Sequence, residues 1–192
     1  TISILDDESV PRVTLSVSAS SIAENAGSSL TLTATLSKTA AEDVIVTLAT
    51  SSTATEGTDY GSLSNIVVSA GATTGTTTFT PTDDSIYDAA SNETAVIAID
   101  TVSGGDALES GNQSVTITIT DNESAPTVTL TRSASAIDEN STSTVTLTAT
   151  LSVATFQDVT VTIGASGGTE GTDYATISDI TISAGSTTGT AS

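Results

Sequence analysis

Shifted by about 115 residues, the sequence falls on itself. TISILDDESVP at 1–11 lies on TITITDNESAP at 116–126, and SIAENAGSSLTLTATLS at 21–37 lies on AIDENSTSTVTLTATLS at 136–152. After a one-residue gap, TEGTDY at 55–60 meets TEGTDY at 169–174, and SAGATTGT at 69–76 meets SAGSTTGT at 183–190. Self-similarity at this level is the signature of tandem duplication, so whatever fold one copy adopts, the other must be able to begin. The frame predicts that residues 1–9 are the last strand of a preceding repeat, 10–124 one whole repeat, and 125–192 the first two thirds of a following one.

Within the whole repeat the hydrophobic period is two. LTLTATL at 30–36, VIVTL at 44–48, TAVIAI at 94–99 and SVTITIT at 114–120 all alternate, and Gly, Asp, Asn or Ser bounds each of them. Shorter strands fit near 13–17, 63–68 and 75–80. Seven short strands without a helical stretch predict an all-β fold: tandem antiparallel β-sandwiches. With 36% hydrophobic residues but only 3% aromatics, the cores must be built from Val, Ile, Leu and Ala. Thr suits the outer positions, since its branched Cβ favours extended backbone and its hydroxyl faces water.

Composition narrows the chemistry. The chain has no Cys and no His, which removes thiol nucleophiles, imidazole bases, disulfides and zinc sites. The net charge is −20, and Arg12, Lys38 and Arg132 are the only cationic side chains, so nucleic acid and anionic membranes are repelled. No window approaches the roughly 18 apolar residues of a membrane span. An acidic, oxygen-only chain attracts hard cations, calcium above all.

The acids are not scattered. Naming the seven strands A to G, an antiparallel path brings the AB, CD and EF connections and the end of G to one pole. Glu24 lies in AB, Glu56 and Asp59 in CD, Asp83, Asp84, Asp88 and Glu93 in EF, and Asp121 and Glu123 follow G. Like charges a few ångströms apart cost on the order of 1 kcal/mol per pair even in water. No basic residue lies in those loops, so the pole requires a cation from outside. The spacing D-x-[DN]-x-[DN]-G is absent, which excludes an EF-hand. Asp83 and Asp84 form a close acid pair, but no insertion forms a cleft around them, and an enzyme is not expected.

A strand ending near Glu24, the element Gly57-Thr58-Asp59-Tyr60, the run Asp83-Asp84-Ser85-Ile86-Tyr87-Asp88 with Glu93 beyond it, and the closing Ile119-Thr120-Asp121-Asn122-Glu123 together resemble the Calx-beta domain. The resemblance implies an immunoglobulin-like seven-stranded sandwich that binds a cluster of calcium ions at one end. By position, the implied ligands are Glu24, Asp59, Asp83, Asp84, the backbone carbonyl of Ile86, Asp88, Glu93, Asp121, Asn122 and Glu123. It further implies either a structural repeat of an extracellular bacterial surface protein, an adhesin extender or filament in which calcium stiffens the joints between repeats, or a calcium-sensing regulatory domain of the exchanger type. The partners are then neighbouring repeats of the same chain and neighbouring copies in a filament.

Other residues have plainer readings. Tyr60 and Tyr174 should pack under the CD loop rather than bind a ligand, and Gly57 and Gly171 should supply a turn with positive φ. The sequons at Asn92, Asn112, Asn122 and Asn140 are what chance gives in a Ser/Thr-rich chain, and Asp158 in the BC loop of the following repeat is a further candidate donor at the joint.

Overall fold

The computed structural model describes residue 2, residues 9–88 and residues 93–192, and the strand expected over 1–9 falls almost wholly outside them. The described residues form an all-β molecule with no helix. They divide into two compact units. Unit 1 takes the described residues of 1–83 and 92–120, and unit 2 takes those of 84–91 and 121–192.

In chain order the first ten strands are β1 (Arg12–Val17), β2 (Ser21–Ala23), β3 (Leu30–Leu36), β4 (Val44–Ser51), β5 (Ile66–Val68), β6 (Thr74–Phe79), β7 (Ile86–Tyr87), β8 (Glu93–Ser103), β9 (Leu108–Glu109) and β10 (Ser114–Thr120). All but β7 belong to unit 1. There, one sheet runs β6-β3-β1-β9 and the other β2-β10-β8-β4-β5. Most neighbours are antiparallel, as the alternating pattern requires, but β2 pairs parallel with β10 and β1 parallel with β9. The chain between Val17 and Ser21 therefore carries the first strand from one sheet to the other.

The core lies between these two sheets. Val13 and Leu15 from β1, Leu32, Ala34 and Leu36 from β3 and Phe79 from β6 meet Val44 and Val46, Ile66 and Val68, Ala95 and Ile97, and Ile117 and Ile119. Every second residue of β3 is buried along Leu30, Leu32, Ala34 and Leu36, the outcome of a two-residue period facing an opposing layer. Where β6 passes β5 the layers close to backbone contact. A Cβ on Gly75 would overlap the Val67 carbonyl, so only glycine fits.

Unit 2 holds β11 (Val128–Arg132), β12 (Leu147–Leu151), β13 (Ala154–Thr155), β14 (Val159–Val161), β15 (Ile180–Ile182) and β16 (Thr188–Ala191). The sheet β11-β12-β16 repeats β1-β3-β6, and the pair β14-β15 repeats β4-β5. Its core is small: Ala149, Leu151, Ile180 and Ile182 are buried, with Leu147, Val159, Val161, Ile163 and Ala191 packed around them. Gly189 repeats the close approach of Gly75, here against the Thr181 carbonyl. Parallel pairing of β7 with β13, Ile86 opposite Ala154 and Tyr87 opposite Thr155, is also part of this unit.

Candidate metal centre

In unit 1 the CD loop is built by its own acids. Asp59 Oδ2 accepts the Thr55 N–H at 2.5 Å, and Glu56 Oε1 accepts the Leu63 N–H at 3.1 Å. Gly57, at φ 87°, turns the chain so that its N–H reaches the Tyr60 carbonyl at 2.8 Å, the role expected of it; Gly171 does the same for Tyr174 at φ 80° and 2.7 Å. Tyr60 is buried and stacks on Phe79 with ring centroids 4.7 Å apart, so it is the packing residue that its position suggested. The loop is then sewn to the start of the EF connection, with Gly61 N–H on the Thr80 carbonyl and Thr82 N–H on the Asp59 carbonyl, both at 2.9 Å. This anchoring delivers Asp83.

Glu24 arrives by another route. It follows β2, and its N–H donates to the Thr120 carbonyl at 3.1 Å, at the end of β10. Within unit 1, a carboxylate oxygen of Glu24 and one of Asp83 lie within 4.8 Å of each other, Glu24 half-buried and Asp83 exposed. Two acids 59 positions apart in sequence are thus brought together by two different loops. Glu93 opens β8 opposite Ile119 in the ladder, which places it at the same end of the sheet as Thr120.

In unit 2 the candidate donors organise backbone. Asp84 Oδ1 accepts the Ile86 N–H at 2.7 Å, closing a local turn ahead of β7. Asp121 accepts twice, from Asp88 N–H through Oδ2 and from Glu123 N–H through Oδ1, each at 2.7 Å. Asn122 Nδ2 donates to Glu123 Oε1 at 3.0 Å. Asp121 therefore joins Asp88 to the Asp121–Glu123 segment, and Ile86 lies in the β7–β13 pair. Each carboxylate oxygen has two lone-pair directions, so one N–H does not exhaust it as a donor to a metal. Asp158 is used locally, its Oδ1 accepting the Ala184 N–H at 2.8 Å.

These side chains can hold a hard cation. The converging atoms of Glu24 and Asp83 are carboxylate oxygens, and the AB, CD and EF loops contain no Lys or Arg. Calcium, which takes six to eight oxygens in flexible geometry, fits such a donor set better than magnesium, which keeps its waters. The β7–β13 pairing was not legible beforehand, since a two-residue strand has no period to detect.

No family model and no curated protein matches the chain. Solved structures with a similar course include the apo form of the Calx CBD1 domain, at 16% identity over 58% of this chain and 99% of that one, with a TM-score of 0.47. The calcium binding domain CBD12 of CALX1.1 gives 18% identity over 92% and 72%, with a TM-score of 0.49. A two-domain protein of unknown function from Bacteroides fragilis gives 11% identity over 79% and 68%, with a TM-score of 0.44.

Proposed function

We propose that the chain is a calcium-binding structural repeat of an extracellular bacterial surface protein, in which calcium stiffens the joint between one repeat and the next. The observation that carries this reading is the convergence of Glu24 and Asp83 to within 4.8 Å at a pole whose loops hold no basic residue. Asp59 and Glu93 are the further donors from unit 1. Asp84, the Ile86 carbonyl, Asp88, Asp121, Asn122 and Glu123 are the donors that the EF connection and the segment after β10 would add. A bound calcium supplies positive charge and takes up oxygen lone pairs; the residues supply the oxygens and hold them in place. Stiffness, not turnover, is the product of such a site.

Calorimetric titration with calcium, paired with thermal unfolding in calcium and in chelator, tests the reading. Calcium at a hundredfold excess over Kd should add about 2.7 kcal/mol to the stability of unit 1. Glu24→Gln and Asp83→Asn should each weaken binding by about tenfold or more, as loss of a charged ligand does. Absence of heat and of any stability change overturns the proposal. Saturation near millimolar calcium supports a rod in an extracellular setting, whereas micromolar saturation supports the sensing domain in its place.

A further inference from the structure

The BC connection of unit 2 is built like that of unit 1. In unit 2, Gly185 N–H donates to the Thr155 carbonyl at 2.8 Å and Ala184 N–H to Asp158 Oδ1 at 2.8 Å. In unit 1, Gly71 N–H donates to the Ala40 carbonyl at 2.9 Å and Ala70 N–H to Asp43 Oδ1 at 2.8 Å. The two loops differ in what they hold. In unit 2, Ala154–Thr155 is a strand because Ile86–Tyr87 lies beside it in parallel register, with the Phe156 N–H donating to the Tyr87 carbonyl at 3.2 Å. The matching Thr39–Ala40 in unit 1 has no strand beside it among the described residues. It borders instead an open groove of about 860 Å³ lined by Lys38, Thr39, Ala40, Glu42, Val10 and Leu108.

We infer that this groove is a receptor for a second Ser85–Asp88-like segment, carried by another repeat and added as a short parallel strand along Thr39–Ala40. The occupant is specified by unit 2, where the same loop geometry already holds that segment. The Ala41 N–H takes the place of the Phe156 N–H as donor to the incoming carbonyl. Val10 and Leu108, both well exposed, offer apolar surface to an Ile-Tyr pair. Lys38 stands where unit 2 has Val153 and faces a segment flanked by Asp83, Asp84 and Asp88, while Glu42, where unit 2 has Gln157, opposes it. The sequence that leads into unit 1, ILDDESVP, also matches ITDNESAP, which leads into unit 2. The inference rests on reading the chain as an array of repeats, and it is independent of calcium.

The test is an amide-shift titration of the isotopically labelled chain with a blocked peptide of residues 82–88, TDDSIYD, in chelator and again in calcium. Saturable shifts confined to Lys38–Glu42, present in chelator, are expected. They should vanish with a scrambled peptide. Ala41→Pro, which deletes the donor, should weaken binding about tenfold. Should that variant misfold, Lys38→Glu on a partly exposed side chain should weaken it severalfold at low salt and less at high salt. Shifts at Ala154–Gln157 alone mean that the peptide only displaces β7, and they overturn the inference, as does equal binding by both variants. Failure here with calcium heat intact separates this inference from the metal site.

Discussion

β3 and β12 share the sequence LTATL, and they do not share its fate. In unit 1 the strand beside it buries Val13 and Leu15 to 0% and 8% exposure; in unit 2 the matching Val128 and Leu130 remain 44% and 52% exposed. The register is the same in both, with Val13 opposite Leu36 and Val128 opposite Leu151. What differs is the layer across from them. Unit 1 sets β8 and β10 over β1, and among the described residues unit 2 has no counterpart of either. Alternation thus specifies which face of a strand is the inner one, while burial is conferred by the opposing sheet. The residues that are buried in both units, Ala34 with Ala149, Leu36 with Leu151, Ile66 with Ile180 and Val68 with Ile182, lie on strands that face each other across the layers in both.

The sharpest way to break the comparison is to supply the missing layer. A copy of residues 79–120 appended after Ser192 should bury Val128 and Leu130, each worth about 1.5–3 kcal/mol, and slow hydrogen exchange across β11 and β12 by orders of magnitude. Unchanged exchange there would show that the opposing layer is not what separates the two units. Next in size, Tyr60→Ala should destabilise unit 1 by about 3–5 kcal/mol, because a fully buried ring stacked on Phe79 is lost. Tyr174→Ala, at a half-buried position, should cost unit 2 about 1 kcal/mol or less, read in the same denaturant melts. The smallest contrast is expected where the units agree. Gly75→Ala and Gly189→Ala each drive a Cβ into a carbonyl of the neighbouring strand, and each should cost about 1–3 kcal/mol in its own unit. A large difference between the two glycines would mean that unit 2 lacks the close backbone approach found in unit 1.

The strong alternators were legible in detail. β3 and β10 fall on LTLTATL and SVTITIT residue for residue. β4 runs past VIVTL to Ser51 and β8 past TAVIAI to Ser103, because the end of each, with little apolar signal of its own, pairs with the apolar stretch of the other: Ala49–Ser51 with Val96–Ala98, and Thr101–Ser103 with Ile45–Thr47. β2 and β9 add to the seven strands expected. Each is three residues or fewer and exists through parallel pairing with a distant partner, information that a local period does not contain. For the candidate centre, the topology argument put Glu24 and Asp83 at one pole and the fold draws them together. It could not say that Asp59, Asp84 and Asp121 each hold backbone N–H groups, since loop position does not orient a carboxylate.

The crossing of the first strand between sheets has a mechanical consequence. The chain enters unit 1 through β1 and β2 and leaves through β10, and β2 lies parallel to β10 over Ser21–Ala23 and Thr118–Thr120. Tension along the chain pulls these neighbours in opposite directions along their common axis. The ladder is therefore loaded in shear, its rungs sharing the force, where an antiparallel pair in the same place would open one rung at a time.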